Sequence, residues 1–201
     1  MSDQVTTDAV RPGRCFCGNV RFRMRGAPMF VHCCHCRDCQ QQSGSAFVVN
    51  GLIEADRIEL VTGEPKPVRM ATESGHPHDI YRCDSCQSAL WSDYGGRDWL
   101  RFVRLATLDE PAAFSPDVHI FTRSRLPWVI LPAEAAVFAE YYDVRIQGRW
   151  KARDDTRWRR TGLRPADPKV SSRRQAKSRP TIPVPWRPES ITRHEAAVSL
   201  R

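Results

Sequence analysis

The stretch CCHCRDCQ, residues 33–40, places four thiols and one imidazole within seven consecutive positions. Such a cluster predicts a closed structural metal site, a redox-active dithiol, or a metal site with one position left open for a substrate. The choice depends on the other cysteines of the chain. The 201 residues contain eight cysteines, and all of them precede residue 87.

The rest of the composition indicates a reducing environment. No run of about 18 apolar residues is present that would predict a membrane-spanning helix. The opening MSDQVTTDAVRPG, residues 1–13, lacks the basic and apolar regions of a secretory signal. We therefore expect a cytoplasmic protein without a membrane partner, and in that compartment closely spaced cysteines more often bind metal than form disulfides.

Two short cysteine motifs, Cys15-x-Cys17 and Cys83-x-x-Cys86, each have the spacing of half a zinc site. A turn of this kind offers two thiolates to one ion, and two turns complete a tetrahedron. We expect these four cysteines to bind one structural zinc ion that joins distant segments and contributes to folding. The alternative is a pair of unrelated turns with free thiols.

The central cluster supplies three further ligands from one tight loop. Cys34, Cys36 and Cys39 can reach a single ion, whereas the adjacent Cys33 points to the opposite side of an extended chain. Three protein ligands with a free fourth position are typical of a catalytic zinc site, while four ligands would make a second structural site. Cys36 and Cys39 can also cycle as a dithiol, but the chain lacks the alternating strands and helices of a thioredoxin-like unit.

Other residues near the cluster are assigned weaker roles. We expect His35 to turn away from the ion, with a ligand or proton-shuttle role as the alternative. His119 is expected to be a surface or packing residue, as are His76 and His78. Residues 43–45, SGS, form either a polar lip around a substrate thiol or an ordinary turn.

Alternating apolar and charged residues predict a mainly β domain. VRFRMR, residues 20–25, has the period of a half-buried strand, and β-rich runs recur as far as DVHIFTRS, residues 117–124. We expect about six to eight short strands in a domain over residues 14–143, after a flexible N-terminus of residues 1–13. Helical periodicity is weak except around residues 133–142.

Residues 144–201 form an Arg- and Pro-rich tail that we expect to be largely disordered. From residue 145 onward it holds 16 Lys+Arg and five Asp+Glu, and it shows no sustained period of a strand or helix. Arg with interspersed Trp suits contacts with phosphates and bases. A non-enzymatic zinc module that binds nucleic acid or protein through this tail is therefore the alternative to an enzyme, although nucleic acid is not the favoured partner.

Four segments together resemble the glutathione-dependent formaldehyde-activating enzyme family, which includes the relatives of centromere protein V. They are CFCGNVRFRM (15–24), CHCRDCQQQSGSAFV (34–48), YRCDSCQSALW (81–91) and LATLDEPAAFSPDVHIFTRSRLPWV (105–129). This ordered combination of cysteine motifs is highly specific. The chain departs from the family at Gln87 and Ala106, where the family usually has glycine.

The resemblance implies a fold, two zinc ions per chain and a reaction. The fold is a β-tent of the Mss4-like type with zinc-binding turns. The structural zinc maps onto Cys15, Cys17, Cys83 and Cys86, and the catalytic zinc onto Cys34, Cys36 and Cys39. The family's reaction is the addition of glutathione to formaldehyde, a carbon–sulfur lyase activity in the reverse sense.

The implied partners are therefore a small thiol and a small aldehyde, handled by an enzyme or a carrier. Zinc stabilises the thiolate form of an incoming thiol. Three cysteine thiolates already make such a site negatively charged, which weakens zinc as a Lewis acid. We therefore expect thiol capture rather than carbonyl activation to be the main task of the metal.

Overall fold

The computed structural model describes residues 9–72 and 75–141. Within these residues the chain forms two β-sheets and one α-helix. The prediction of a mainly β fold is therefore confirmed, although the described part holds eleven strands rather than the smaller number expected. The basic tail predicted for residues 144–201 lies outside the described residues.

The smaller sheet has three antiparallel strands in the order β1-β2-β5. They are β1 (Val10–Arg14), β2 (Arg21–Arg25) and β5 (Ile58–Thr62). The period-two pattern of β2 buries Phe22 and Met24 and leaves its three arginines exposed. Because β1 pairs with β2 from Val10 onward, the fold begins before the boundary expected at residue 14.

The larger sheet has eight strands in the order β11-β10-β3-β4-β9-β8-β7-β6. They are β3 (Phe30–Cys34), β4 (Val48–Glu54), β6 (Lys66–Met70), β7 (His78–Arg82), β8 (Ala89–Tyr94), β9 (Leu100–Arg104), β10 (Val118–Ile120) and β11 (Ala136–Val137). Most neighbours are antiparallel, but β10 runs parallel to both β3 and β11. This parallel pairing brings the start of the cysteine-rich stretch beside a strand far along the chain.

A hydrophobic core lies on each face of the larger sheet. Neighbouring residues of a strand point to opposite faces. Accordingly, Ile53 packs with Phe22 of the smaller sheet in what we call the first core, and Leu52 packs in the second core. Phe22 meets Trp91 edge-on, with 5.5 Å between their ring centroids. The first core therefore joins the two sheets.

The helix α1 (Arg37–Ser43) is absent from the sequence-based prediction. Cys36 caps its N-terminus, where Sγ accepts a hydrogen bond from the backbone N–H of Cys39 at 3.3 Å. Gly44 ends the helix with a φ of 65°, a conformation that glycine adopts without strain. Seven residues are too few to show a helical period. The helical periodicity noted around residues 133–142 does not correspond to a helix in the described part of that stretch, which contains β11.

Candidate metal centres

Four cysteines from two separate turns converge beside the first core. We call them the outer cysteine group: Cys15, Cys17, Cys83 and Cys86. The Sγ–Sγ distance is 3.5 Å between Cys15 and Cys17 and 3.8 Å between Cys17 and Cys83. A tetrahedral zinc ion with bonds of about 2.3 Å places its sulfur ligands about 3.8 Å apart. The geometry and the all-sulfur donor set therefore fit zinc.

Hydrogen bonds hold the two turns of the outer cysteine group in place. The backbone N–H of Val20 donates to Cys15 Sγ at 3.2 Å, and the backbone N–H of Phe16 donates to Ser88 Oγ at 3.1 Å. Ser88 Oγ also lies 3.2 Å from Cys86 Sγ, and this contact lowers the pKa of Cys86 to about 5. Donors to sulfur favour the thiolates that a metal needs.

Three further cysteines converge where β3 meets α1. We call them the inner cysteine group: Cys34, Cys36 and Cys39. Their sulfur atoms all lie within 4.8 Å of one another. Cys34 and Cys39 are buried in the second core, whereas Cys36 is partly exposed. Cys36 is therefore the most exposed member of the group.

The close approach of the three thiols in the inner cysteine group opposes the ionisation of more than one of them. Hydrogen bonds from Cys34 and Cys39 lower the pKa of Cys36 to about 2. The same contacts, together with burial, raise the pKa of Cys34. Without a metal, the group therefore holds one thiolate and two protonated thiols, because neighbouring negative charges oppose further ionisation. A divalent cation reverses that preference and makes all three sulfurs ligands.

A buried arginine lies near the inner cysteine group and was not identified from the sequence. Arg104, at the end of β9, is 9% exposed, and its guanidinium donates a hydrogen bond to Asn50 Oδ1. Burial lowers its pKa, and negative charge on Cys39 and Cys34 opposes that shift. No carboxylate among the described residues pairs with it. Because three thiolates and one zinc ion carry a net charge of about −1, Arg104 is positioned to balance it.

A cleft of about 610 Å³ lies beside α1, a volume suited to a small molecule. Its walls are Arg37, Gln40, Gln41, Gly44, Ser45, Ala46, Phe47, Leu126 and Trp128. Of residues 43–45, Gly44 ends the helix, and Gly44 and Ser45 line the cleft; a role as a lip around a substrate thiol stays a prediction. A larger concavity of about 780 Å³ lies on the smaller sheet, but its lining contains charged pairs such as Arg25–Glu59 and, unlike the cleft beside α1, no residue of the stretch 33–40.

The remaining cysteine of the central stretch belongs to a third group. Cys33 Sγ lies 3.6 Å from His35 Nε2, which lies 3.1 Å from His119 Nδ1. Burial, followed by the charges of His119 and Arg125, lowers the pKa of His35 to about 4, so its imidazole is neutral at pH 7. His119, expected at the surface or in ordinary packing, is half-buried with a ring stacked on His35. We call these residues the Cys33 group.

A family comparison agrees with this arrangement of cysteines. The model of the family described as "Glutathione-dependent formaldehyde-activating enzyme" matches residues 10–124, which include all eight cysteines. The chain belongs to the glutathione-dependent formaldehyde-activating enzyme family. The match ends before the basic tail, and no finding supports nucleic acid as a partner of this family member.

Two further comparisons, with curated proteins and with solved structures, give less information about this chain. No curated protein matches this member of the glutathione-dependent formaldehyde-activating enzyme family. Among solved structures, a crystal structure of a Rhodobacter sphaeroides protein aligns with 12% sequence identity and a TM-score of 0.37, covering 63% of this chain and 98% of that chain. Separately, the described residues include no helix with the length and apolar character needed to cross a membrane.

Proposed function

We propose that this chain binds a structural zinc ion at the outer cysteine group and a second zinc ion at the inner cysteine group. At the second site it handles a thiol–aldehyde adduct of the S-hydroxymethylglutathione type, as a carbon–sulfur lyase or a carrier. The observation that carries the proposal is the convergence of three sulfurs, one of them partly exposed, at the start of α1, the helix that also lines a cleft of small-molecule size. Membership of the family supports the choice of thiol and aldehyde.

The protein residues of this site have separable tasks. Cys34, Cys36 and Cys39 would hold the metal, which when bound supplies stabilisation of a thiolate at neutral pH. The backbone N–H of Cys39 fixes the Cys36 sulfur by donating to it. Arg104 balances the negative charge that the three thiolates bring into a buried region.

The cleft beside α1 would bind the body of the thiol substrate. Arg37 offers a guanidinium to a carboxylate of a glutathione-like tripeptide, and Phe47 and Trp128 offer apolar surface. Gln40 is held in place because its Nε2 donates to the carbonyl oxygens of His35 at 2.8 Å and Ser124 at 2.9 Å. A thiol bound in this way would lie against α1, the helix that Cys36 caps and that carries Cys39.

The reaction requires little beyond placement. The thiolate sulfur attacks the aldehyde carbon, a carbon–sulfur bond forms, and the carbonyl oxygen takes a proton to give the hydroxymethyl thioether. The reverse reaction breaks the same bond and returns thiol and aldehyde. Holding both reactants together raises their effective concentration, a contribution that is large even for an intrinsically easy addition.

A single variant tests the proposal. Cys36→Ser should lower the zinc content by one ion per chain and reduce the glutathione-dependent consumption of formaldehyde to the uncatalysed rate, while far-UV circular dichroism stays unchanged. Gln42→Ala, on the same helix but outside the cleft lining, is the matched control and should keep both properties. Full formaldehyde consumption by Cys36→Ser would refute the proposed role of the inner cysteine group.

A further inference from the structure

Strand pairing places Cys33 and His119 next to each other on two different strands. In the parallel pairing of β3 with β10, His119 is the partner of Cys33, and Ile120 is the partner of Cys34. The pairing continues one residue beyond β3, because the backbone N–H of His35 donates to the carbonyl oxygen of Ile120 at 2.9 Å. His35 therefore remains paired with β10 in a strand-like register.

The alternation of side chains then gathers three metal-binding residues on one face of the sheet. Val118 and Ile120 pack in the second core, so His119 between them faces the other way. Cys34 also lies in the second core, so Cys33 and His35 on either side of it face the same way as His119. The Cys33 group is thus separated from the inner cysteine group by the backbone of β3.

The distances within the Cys33 group match the edges of a metal-centred tetrahedron. Zinc bonds of about 2.3 Å to sulfur and about 2.0–2.1 Å to nitrogen place a sulfur and a nitrogen ligand about 3.6 Å apart, and two nitrogen ligands about 3.3 Å apart. The observed separations are 3.6 Å for Cys33 Sγ to His35 Nε2 and 3.1 Å for His35 Nε2 to His119 Nδ1. All three ligand atoms lie within 4.8 Å of one another.

The burial of the Cys33 group leaves one side accessible. Cys33 and His35 are 1% and 0% exposed, whereas His119 is only partly buried. The second ring nitrogen of His35, Nδ1, is buried without a hydrogen-bond partner among the described residues, so Nε2 is the atom through which this imidazole makes its polar contacts. An ion can enter past His119 and keep a water molecule as its fourth ligand.

We propose that Cys33, His35 and His119 form a third metal site, which takes a borderline divalent cation of the zinc class through one thiolate and two imidazole nitrogens. Mixed sulfur and nitrogen donors of this kind select zinc and similar ions over magnesium or calcium. The competing explanation is a hydrogen-bonded trio without metal. The two explanations predict different numbers of bound ions per chain.

The first experiment counts zinc on the purified full-length chain. After saturation with Zn²⁺ and removal of excess, metal analysis should show one ion fewer per chain in His119→Gln than in the unmodified protein. His76→Gln is the matched control, because His76 is exposed and lies outside the three cysteine-containing groups. His119 is partly exposed, so its replacement should preserve folding, which thermal unfolding will verify. An unchanged zinc count in His119→Gln would overturn the proposal.

The second experiment separates the Cys33 group from the inner cysteine group. Cys33→Ser and Cys36→Ser should each lose one ion, and the double variant should lose two because the ions are different. A double variant that loses only one ion would show that Cys33 has no ion of its own, and the third site would be refuted. That refutation applies when each single variant loses one ion, because Cys33 and Cys36 then share it. If Cys36→Ser loses no ion while Cys33→Ser and His119→Gln each lose one, the third site stands and the proposed function fails.

Discussion

The outer and inner cysteine groups offer the same ligand atom, the cysteine sulfur, from two different settings. The outer cysteine group takes two residues from each of two turns that lie 66 positions apart, and it connects the smaller sheet to the larger one. The inner cysteine group takes three residues from one short loop, packed against the second core and near a buried positive charge. A site that joins distant segments stabilises the fold, whereas a site built locally can leave a position open for chemistry.

The largest expected effect comes from breaking the outer cysteine group. Cys83→Ser removes a buried ligand and with it the link between two sheets, so we expect a loss of more than about 5 kcal/mol in the free energy of unfolding, comparable with the total stability of a domain. Chemical denaturation followed by tryptophan fluorescence measures it. Ser85→Ala, in the same turn, is the control and should lose less than about 1 kcal/mol.

If Cys83→Ser folded as stably as the unmodified chain, the outer cysteine group would not be the one that stabilises the fold, and it would no longer differ from the inner cysteine group in this respect. In that case the two sheets would be held together by the first core alone. The contrast with Cys36→Ser makes the test specific, because that variant removes the same atom type but is expected to keep the fold.

The next effect concerns the buried charge near the inner cysteine group. Arg104→Met keeps much of the apolar stem and removes the charge, so the zinc-loaded protein should lose about 3 kcal/mol of unfolding free energy, since a buried negative centre is left without its partner. Arg101→Met, on the same strand but more exposed, should lose less than about 1 kcal/mol. Denaturant titration of zinc-loaded samples measures both.

A double variant decides whether Arg104 acts through the metal centre. In the Cys36→Ser background, where no ion is expected at the inner cysteine group, Arg104→Met should have a smaller effect on unfolding. An equal effect in both backgrounds would assign Arg104 a packing role only.

The pH dependence of metal binding gives a third prediction. In the metal-free inner cysteine group the pKa of Cys36 is lowered to about 2, while that of Cys39 is raised to about 12 and that of Cys34 is also raised. At pH 7 two of the three thiols are therefore protonated, and zinc must displace about two protons. Zinc affinity at this site should rise with pH by about 100-fold per unit between pH 5.5 and 7.5. Competition with a chelator, compared between the unmodified protein and Cys36→Ser, measures it; an affinity independent of pH would contradict the assignment of these ligands.

The smallest expected effect lies in the turn of the outer cysteine group. Gln87 has a φ of 59°, a conformation that costs an ordinary residue about 1 kcal/mol and glycine almost nothing. Gln87→Gly also loses the hydrogen bond from Nε2 to the carbonyl oxygen of Asp84 at 2.8 Å, so the net gain in unfolding free energy should stay below about 1 kcal/mol. Gln42→Gly, inside α1, should instead lose about 1 kcal/mol. Thermal unfolding compares them, and a destabilised Gln87→Gly would show that the hydrogen bond outweighs the strain.

The cysteine spacing predicted much of this arrangement because the ligand pattern is local. Cys-x-Cys and Cys-x-x-Cys motifs can be recognised within a few residues, and the alternation along CCHC predicted that Cys33 points away from Cys34, which lies in a different group. The period-two pattern of β2 likewise predicted a strand with one buried face. These features depend on side chains that are near one another in the sequence.

The remaining features depend on strand register between distant segments. His119 was expected to be unremarkable because nothing in its own neighbourhood shows that β10 pairs in parallel with β3 and brings it to Cys33. Arg104 was not identified from the sequence for the same reason. An arginine in a strand is expected to be exposed, and only the fold places this one beside buried thiols. The helix α1 is too short for its period to be recognised.

The 66-residue separation within the outer cysteine group also sets an order of assembly. Closing a flexible loop of that length costs roughly 4 kcal/mol of chain entropy, whereas the loop from Cys34 to Cys39 closes at little cost. During synthesis the inner ligands emerge together, long before Cys86 is made. If the proposed zinc ion binds at the inner cysteine group, a growing chain would acquire it before its two sheets close, and early intermediates would carry the ion without the fold that confines it.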